Sequence, residues 1–212
     1  MNKVCYIIGA GDVSEGEIAL TPCDYLICAD AGLKYKNIFK KEPDLIVGDF
    51  DSFGEIPNSG NIVVAPCEKD ETDMMLAFQK GFQKGFRKFL IYGALGGERA
   101  DHSVANLQLL HYIANKGCNA FLINGNRIFT AIKDGKISFG NNAKGYISVF
   151  SLTDKSEGVD IIGLKYSLSG ATLENCTPVG VSNEFLDKKS SISVKNGVLL
   201  ISWKGKIEDC SL

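Results

Sequence analysis

The sequence predicts an α/β fold: an N-terminal domain on a doubly wound, mostly parallel sheet, followed by a C-terminal antiparallel β-sandwich. Three observations point there. Up to about residue 124, short continuous apolar runs alternate with helical patterns, as strands buried on both faces of a parallel sheet require. Beyond residue 125 the helical period disappears while strand-like runs continue. Finally, the segments that follow successive N-terminal strands are rich in Gly and Asp, and open parallel sheets bind ligands beyond those carboxyl ends. The domains are therefore placed at 1–124 and 125–212, with a short linker near Asn124-Gly125-Asn126.

Taken in order, residues 3–8 form the first strand. They are one Lys and a short apolar run ending in Gly9-Ala10-Gly11, too short for a signal peptide. Further strands are read at 25–29, 45–47, 62–65, 88–92 and 119–123. Met75, Phe78 and Phe82 recur at i, i+3 and i+7, and Ser103, Leu107, Leu110 and Ala114 nearly so, predicting two helices stopped by Gly85 and Gly117. In the second half, 128–132 and 136–139 flank Asp134-Gly135, while 190–194 and 198–203 flank Asn196-Gly197. Both read as type I′ hairpins. Residues 146–152 and 159–166 supply more strands.

Composition narrows the function. The chain has 23 Lys+Arg against 25 Asp+Glu, without the basic excess or stripe of a nucleic-acid binder. Lys40-Lys41 and Lys188-Lys189 read as solvated surface. Seven cysteines are odd in number, scattered and free of C-x-x-C. That argues against a disulfide framework or zinc site and for a reducing, cytoplasmic setting. No apolar stretch approaches the ~20 residues that cross a bilayer, so no membrane partner is expected.

The chemistry collects at one sheet edge. Gly48-Asp49-Phe50-Asp51-Ser52 puts two carboxylates at i and i+2 beyond a strand. Hard cations such as Mg²⁺ take oxygen ligands of this kind together with substrate phosphates, although a polar turn would use the same residues. Several carboxylates in one crevice repel one another unless a cation sits among them. Lys69-Asp70-Glu71-Thr72-Asp73 opens a helix. Capping accounts for Asp70 or Thr72, but not for Lys69, which suits a phosphate. Gly93-Ala94-Leu95-Gly96-Gly97 precedes Arg99, Asp101 and His102 at the next helix start, where a glycine backbone and free N–H groups attract anions. Asp30-Ala31-Gly32 ends the second strand, and His111 reads as structural. Together these features predict a Mg²⁺-dependent enzyme that moves a phosphate-containing group from a nucleotide to a small molecule.

The same segments resemble thiamine pyrophosphokinase. That family carries Gly-Asp-x-Asp-Ser, matched at 48–52, and Lys-Asp-x-Thr-Asp, matched at 69–73. It also carries a Gly-rich loop leading to Arg, Asp and His, matched at 93–102, with Ala105 and Asn106 in the helix that follows. Ala29-Asp30-Ala31-Gly32 matches a further element on the nucleotide side, and Val181-Ser182-Asn183-Glu184 matches a Ser-Asn segment that touches thiamine. Glu98 adds one residue to the family's Gly-Gly-Arg-x-Asp-His run. Some members stack thiamine on a tryptophan of the last strand, where Trp203 lies.

The resemblance implies pyrophosphoryl transfer from ATP to the hydroxyl of thiamine, giving thiamine diphosphate and AMP. It also implies a homodimer with shared sites, Ser182 reaching its partner's. Asp49, Asp51 and Asp73 are assigned to Mg²⁺, and Asp70 joins them or orients Lys69. Lys69 and Arg99 offset phosphate charge. Asp30, Ser52, Thr72, Gly93, Gly97, His102 and Asn106 lie on the nucleotide side. Asp101 holds the thiamine hydroxyl or aminopyrimidine, with Ser182 and Asn183 on thiamine. Three other readings are weighed. In a dinucleotide oxidoreductase, Gly9-Ala10-Gly11 and Asp30 would serve the cofactor, but position 14 is Ser and Pro22 interrupts the helix. The others are a non-catalytic nucleotide sensor and a kinase of another alcohol.

Overall fold

The computed structural model describes residues 3–14, 16, 18–48, 62–64 (backbone only) and 71–212. It divides into two compact units, one of Met1–Asn106 with Leu122–Gly125 and one of Leu107–Phe121 with Asn126–Leu212.

In the first unit, β1 (Val4–Ile8), β2 (Tyr25–Ala29), β3 (Leu45–Gly48) and β4 (Ile62–Val64) follow one another. Helix α1 (Asp73–Gln83) and β5 (Lys88–Tyr92) come next, then helix α2 (Ala100–Asn115), which begins in this unit. The strands lie in the order β5-β1-β2-β3-β4, all parallel. Chain progression runs outward from β1 to β4 and then returns to β5 on the other side of β1. The order therefore reverses between β1 and β5, the kind of point where open sheets form a crevice.

Both faces of this sheet are covered. The buried stripe of α1 is Met74, Ala77, Phe78 and Gly81, one step round the helix from the Met75–Phe78–Phe82 pattern. Phe82 instead lies against Phe78 and under the Arg87 guanidinium. Phe78 meets Phe89 of β5 with ring centroids 4.8 Å apart. On the opposite face a 3₁₀ helix, Asp30–Phe39, drops Phe39 onto Tyr6 and Tyr92. At the N-terminal edge two aspartates stitch strands together. Asp24 accepts from Val4 N–H (3.1 Å) and Thr21 N–H (2.8 Å). Asp44 accepts from Leu26 N–H (2.8 Å).

After β6 (Asn119–Asn124), the second unit contains β7 (Arg127–Lys133), β8 (Lys136–Phe139), β9 (Tyr146–Ser151), β10 (Lys155–Ile162) and β11 (Leu168–Glu174). β12 (Asn183–Glu184), β13 (Ser190–Ser193), β14 (Val198–Lys204) and β15 (Cys210–Ser211) complete it. β12, β9, β14 and β7 pair antiparallel. So do β11, β10, β13, β8 and β15. This is the expected sandwich, and Trp203 of β14 is in its core. Fully buried, its ring meets Phe139 of the opposing sheet at 5.3 Å and Phe121 at 6.4 Å.

The two expected hairpins are a correction. β7 and β8 do not pair with each other, and neither do β13 and β14; each Asx-Gly turn carries the chain from one sheet to the other. Neither turn is type I′, which needs positive φ at both central residues. Only Asp134 (φ 45°) and Gly197 (φ 123°) have it. The turns grip one another instead: Asp134 N–H donates to Gly197 O (3.1 Å), and Gly197 N–H donates to Asp134 Oδ1 (2.8 Å). A local turn signal reports the bend but not the partner of the strand that leaves it.

Candidate functional site

Loops from the carboxyl ends of β1, β2 and β5, with the starts of α1 and α2, enclose a cavity of about 350 Å³ within the first unit. Its position at the β1/β5 reversal is set by short apolar strands, each followed by residues that can bend sharply. Gly32 shows why small residues are needed. A Cβ there would lie 2.1 Å from the Ile8 carbonyl oxygen, so the turn after β2 can settle against the end of β1 only without a side chain.

Of the residues expected in the site, Asp30, Thr72, Asp73, Gly93, Gly97, Arg99, His102 and Asn106 all line this cavity. Asp30 has φ 48° at the first position of the 3₁₀ helix. Thr72 caps α1, its Oγ1 accepting from Met75 N–H at 3.2 Å, so its hydroxyl has a structural use. Asp73 is the first residue of α1. Asp101 does not line the cavity; it is exposed and accepts from Arg99 Nη2 at 2.8 Å. That hydrogen bond holds its carboxyl below the usual aspartate value. Asp49, Asp51, Ser52, Lys69 and Asp70 lie outside the described residues. Gly48, which precedes Asp49, packs against the backbone of Asp30.

The Gly-rich loop is more constrained than its glycines suggest. Gly93, Gly96 and Gly97 have φ of 59°, 76° and 77°, a region open to glycine at little cost. Three side chains hold the loop there. Asn106, buried on α2, donates from Nδ2 to Ala94 O at 2.7 Å. Ser103 Oγ accepts from Gly96 N–H at 3.2 Å. Asp12 Oδ2 accepts from Gly97 N–H at 2.9 Å. The Gly96 and Gly97 amides are thus already used, and the glycines supply close approach rather than free donors. Asp12 follows β1 at the ligand edge but is not among the site residues that the sequence predicts, and Ser103 reads there only as a helix-periodic position. Bonds made across 85 residues carry no local signal.

Carboxylates Asp30 and Asp73 share the cavity with Arg99 and His102. Two hard oxygen donors lining one cavity with an arginine suit a divalent ion with a phosphate. Among the described residues there is no group of three or more His, Cys, Asp or Glu able to hold a metal. Asp73 belongs to the expected Mg²⁺ set, whose other members, Asp49 and Asp51, are among the residues not described.

Ser182 and Asn183 belong to the second unit. Ser182 is exposed with φ 60°, and its N–H donates to Ser148 Oγ at 3.1 Å. Asn183 is buried and both ends of its amide are engaged. Oδ1 accepts from the N–H groups of Tyr166 and Glu184 (2.9 Å each), and Nδ2 donates to Tyr166 O at 2.7 Å. It fixes the segment that displays Ser182. Beside it Lys165 donates to Glu184 at 2.7 Å, which raises the lysine's pKa.

Comparison with known proteins matches both halves of the chain. A family model described as "Thiamin pyrophosphokinase, catalytic domain" matches residues 17–122, and one described as "Thiamin pyrophosphokinase, vitamin B1 binding domain" matches 136–199. A relative from Bacillus subtilis (strain 168), "Thiamine pyrophosphokinase", is 28% identical over 161 residues, covering 73% of this chain and 75% of its own. The crystal structure of thiamine pyrophosphokinase from Bacillus subtilis superposes with a TM-score of 0.82 at 23% identity, covering 96% of this chain and 100% of that one. That of a thiamin pyrophosphokinase family protein from Enterococcus faecalis gives 0.78 at 26%, covering 97% and 100%.

Proposed function

This chain belongs to the thiamin pyrophosphokinase family, and we propose on that footing that it transfers the pyrophosphoryl group of ATP to the hydroxyl of thiamine, releasing AMP. The observation that carries the proposal is the shared cavity, in which Asp30, Asp73, Arg99 and His102 meet at the β1/β5 reversal. Transfers of this kind depend on alignment and charge neutralisation more than on covalent chemistry by the protein. We assign Asp49, Asp51 and Asp73 as ligands of Mg²⁺, with Asp70 beside them. When bound, the ion neutralises phosphate charge.

In this reading Lys69 and Arg99 meet phosphate oxygens. Asp30 and His102 orient the nucleotide, with Ser52 near its phosphates. Thr72, Gly93, Gly97 and Asn106 shape the walls that receive it. Asp101 holds the thiamine hydroxyl or aminopyrimidine. Ser182 completes the thiamine side, presented by Asn183. We take residues 1–124 as the catalytic module and 125–212 as the thiamine-binding and dimerisation module. A homodimer in which each Ser182 reaches its partner's site is supported by Tyr146, Tyr166, Val179, Val181 and Leu186, large apolar residues left exposed in the second unit. Cys5, Cys23, Cys28 and Cys176 are free thiols, and among the described residues no helix is long and apolar enough to cross a membrane. The free thiols fit the reducing cytoplasmic setting that we propose.

The test is incubation with ATP, Mg²⁺ and thiamine, with products separated by chromatography. AMP and thiamine diphosphate in equal amounts are expected. ADP would mean ordinary kinase chemistry, and ATP binding without turnover would mean a sensor. Asp51→Asn should cut turnover by roughly a hundredfold or more without changing the fold; near-normal activity would remove Asp51 from the metal set.

A further inference from the structure

The Gly-rich loop ends two residues before Arg99, so whatever fixes the loop also fixes where that guanidinium starts from. The turn after β1 lies directly against it. Gly9 N–H donates to Tyr92 O (2.9 Å), Gly11 N–H to Gly93 O (2.8 Å) and Asp12 N–H to Leu95 O (3.2 Å). Asp12 then continues this backbone zipper with its side chain, accepting from Gly97 N–H at 2.9 Å. The fit is close: a Cβ on Gly96 would stand 2.5 Å from Asp12 Oδ2.

We propose that Asp12 is a positioning residue for the nucleotide side of the site, its carboxylate fixing the loop at 93–97 and thereby the placement of Arg99. This rests on the functional reading above. Two other roles for the carboxylate fit less well. Asp12 does not line the cavity, so it grips the loop from outside and does not stand in for a phosphate there. A simple turn-forming Asp bonds to backbone two or three residues away, whereas this bond joins residues 85 apart across the sheet's point of reversal. The need for such a tie follows from the loop itself. Three glycines at positive φ have much conformational freedom to lose. Ser103 and Asn106 restrain only Gly96 and Ala94, both from the α2 side. Gly97, next to Glu98 and Arg99, is held by Asp12.

Full-length Asp12→Ala and Asp12→Asn test this with two readouts. In steady-state AMP formation, the Ala variant should raise KM for ATP by roughly tenfold, the scale of one charge-assisted hydrogen bond. KM for thiamine should stay within about twofold, since the loop serves the nucleotide side. In the ligand-free protein, amide hydrogen exchange at Gly97, followed by NMR, should accelerate by a similar factor of about ten. Asp12→Asn should recover much of both, because its side-chain carbonyl accepts the same bond without the charge. Unchanged Gly97 exchange in the Ala variant would overturn the proposal. So would equal rises in both KM values, an Asn variant as impaired as Ala, or an Ala variant that fails to fold. Failure of wild type to make AMP would overturn the functional reading alone, and the Gly97 exchange would still judge the clamp.

Discussion

Asn106 offers a sharp test of how the nucleotide side is built. Its side chain is 7% exposed and its Nδ2 donates to Ala94 O at 2.7 Å. Asn106→Ala withdraws that donor from a buried carbonyl, a loss of about 1–3 kcal/mol. Alanine's better helix propensity returns roughly 0.5 kcal/mol at this position in α2, leaving a net destabilisation of about 0.5–2.5 kcal/mol. Asn106→Asp keeps the shape but turns the donor into a charged acceptor facing a carbonyl. That should cost more, roughly 3 kcal/mol or above. Urea denaturation of the unliganded protein near neutral pH gives the ordering wild type, Ala, Asp. KM for ATP should rise in the same order, because the freed loop no longer presents Arg99 reproducibly. An Asp variant as stable as wild type would refute the donor role. An Ala variant more stable than wild type would show that the loop does not depend on this bond.

Three further outcomes follow from other parts of the molecule. Gly32→Ala drives a methyl to 2.1 Å from the Ile8 carbonyl oxygen, and since backbone must yield, a loss of about 2–3 kcal/mol is expected in thermal or urea unfolding. Alkylation of the native protein followed by mass spectrometry should label Cys23 and Cys176 first, as both are exposed. Cys5 and Cys28 should wait for denaturant, because burial pushes both thiols up, that of Cys28 to about 12. Arg99→Met should return the Asp101 carboxyl toward the ordinary aspartate value, read by carboxyl NMR titration. Because the Arg99 hydrogen bond lowers that carboxyl in the folded protein, the pair's contribution is present above the unfolded pKa of ~3.9. It fades as pH falls through the folded value.

Much of the first unit was legible because its signals are short in range. Continuous apolar runs gave β1, β2, β3 and β5 to within a residue or so, and Thr72 caps α1 where a helix start was expected. The site was legible for a related reason: every loop that reaches the cavity follows a strand that could be read. What failed was longer in range. The two Asx-Gly turns were visible, but whether the strands beside them pair or part depends on the opposing sheet. β11 was missed because Leu173 is its only fully buried residue, so it shows no alternation. The 3₁₀ helix at Asp30–Phe39 was missed because its only large buried side chain is Phe39. Asn183 is expected on the thiamine side, and its amide also holds Tyr166 across 17 residues, a bond that no local pattern announces.

The claim on which the rest depends is that Asp30, Asp73 and the loop at 93–97 surround one bound metal–nucleotide. Mn²⁺ in place of Mg²⁺, added with a non-hydrolysable ATP analogue, broadens the NMR signals of nearby amides. Titration of the ¹⁵N-labelled protein should broaden Asp30, Asp73 and Gly93 together at the lowest Mn²⁺ levels, and Asp51→Asn should abolish that broadening. Broadening that spares these residues, or that survives unchanged in the Asp51→Asn variant, would contradict the account.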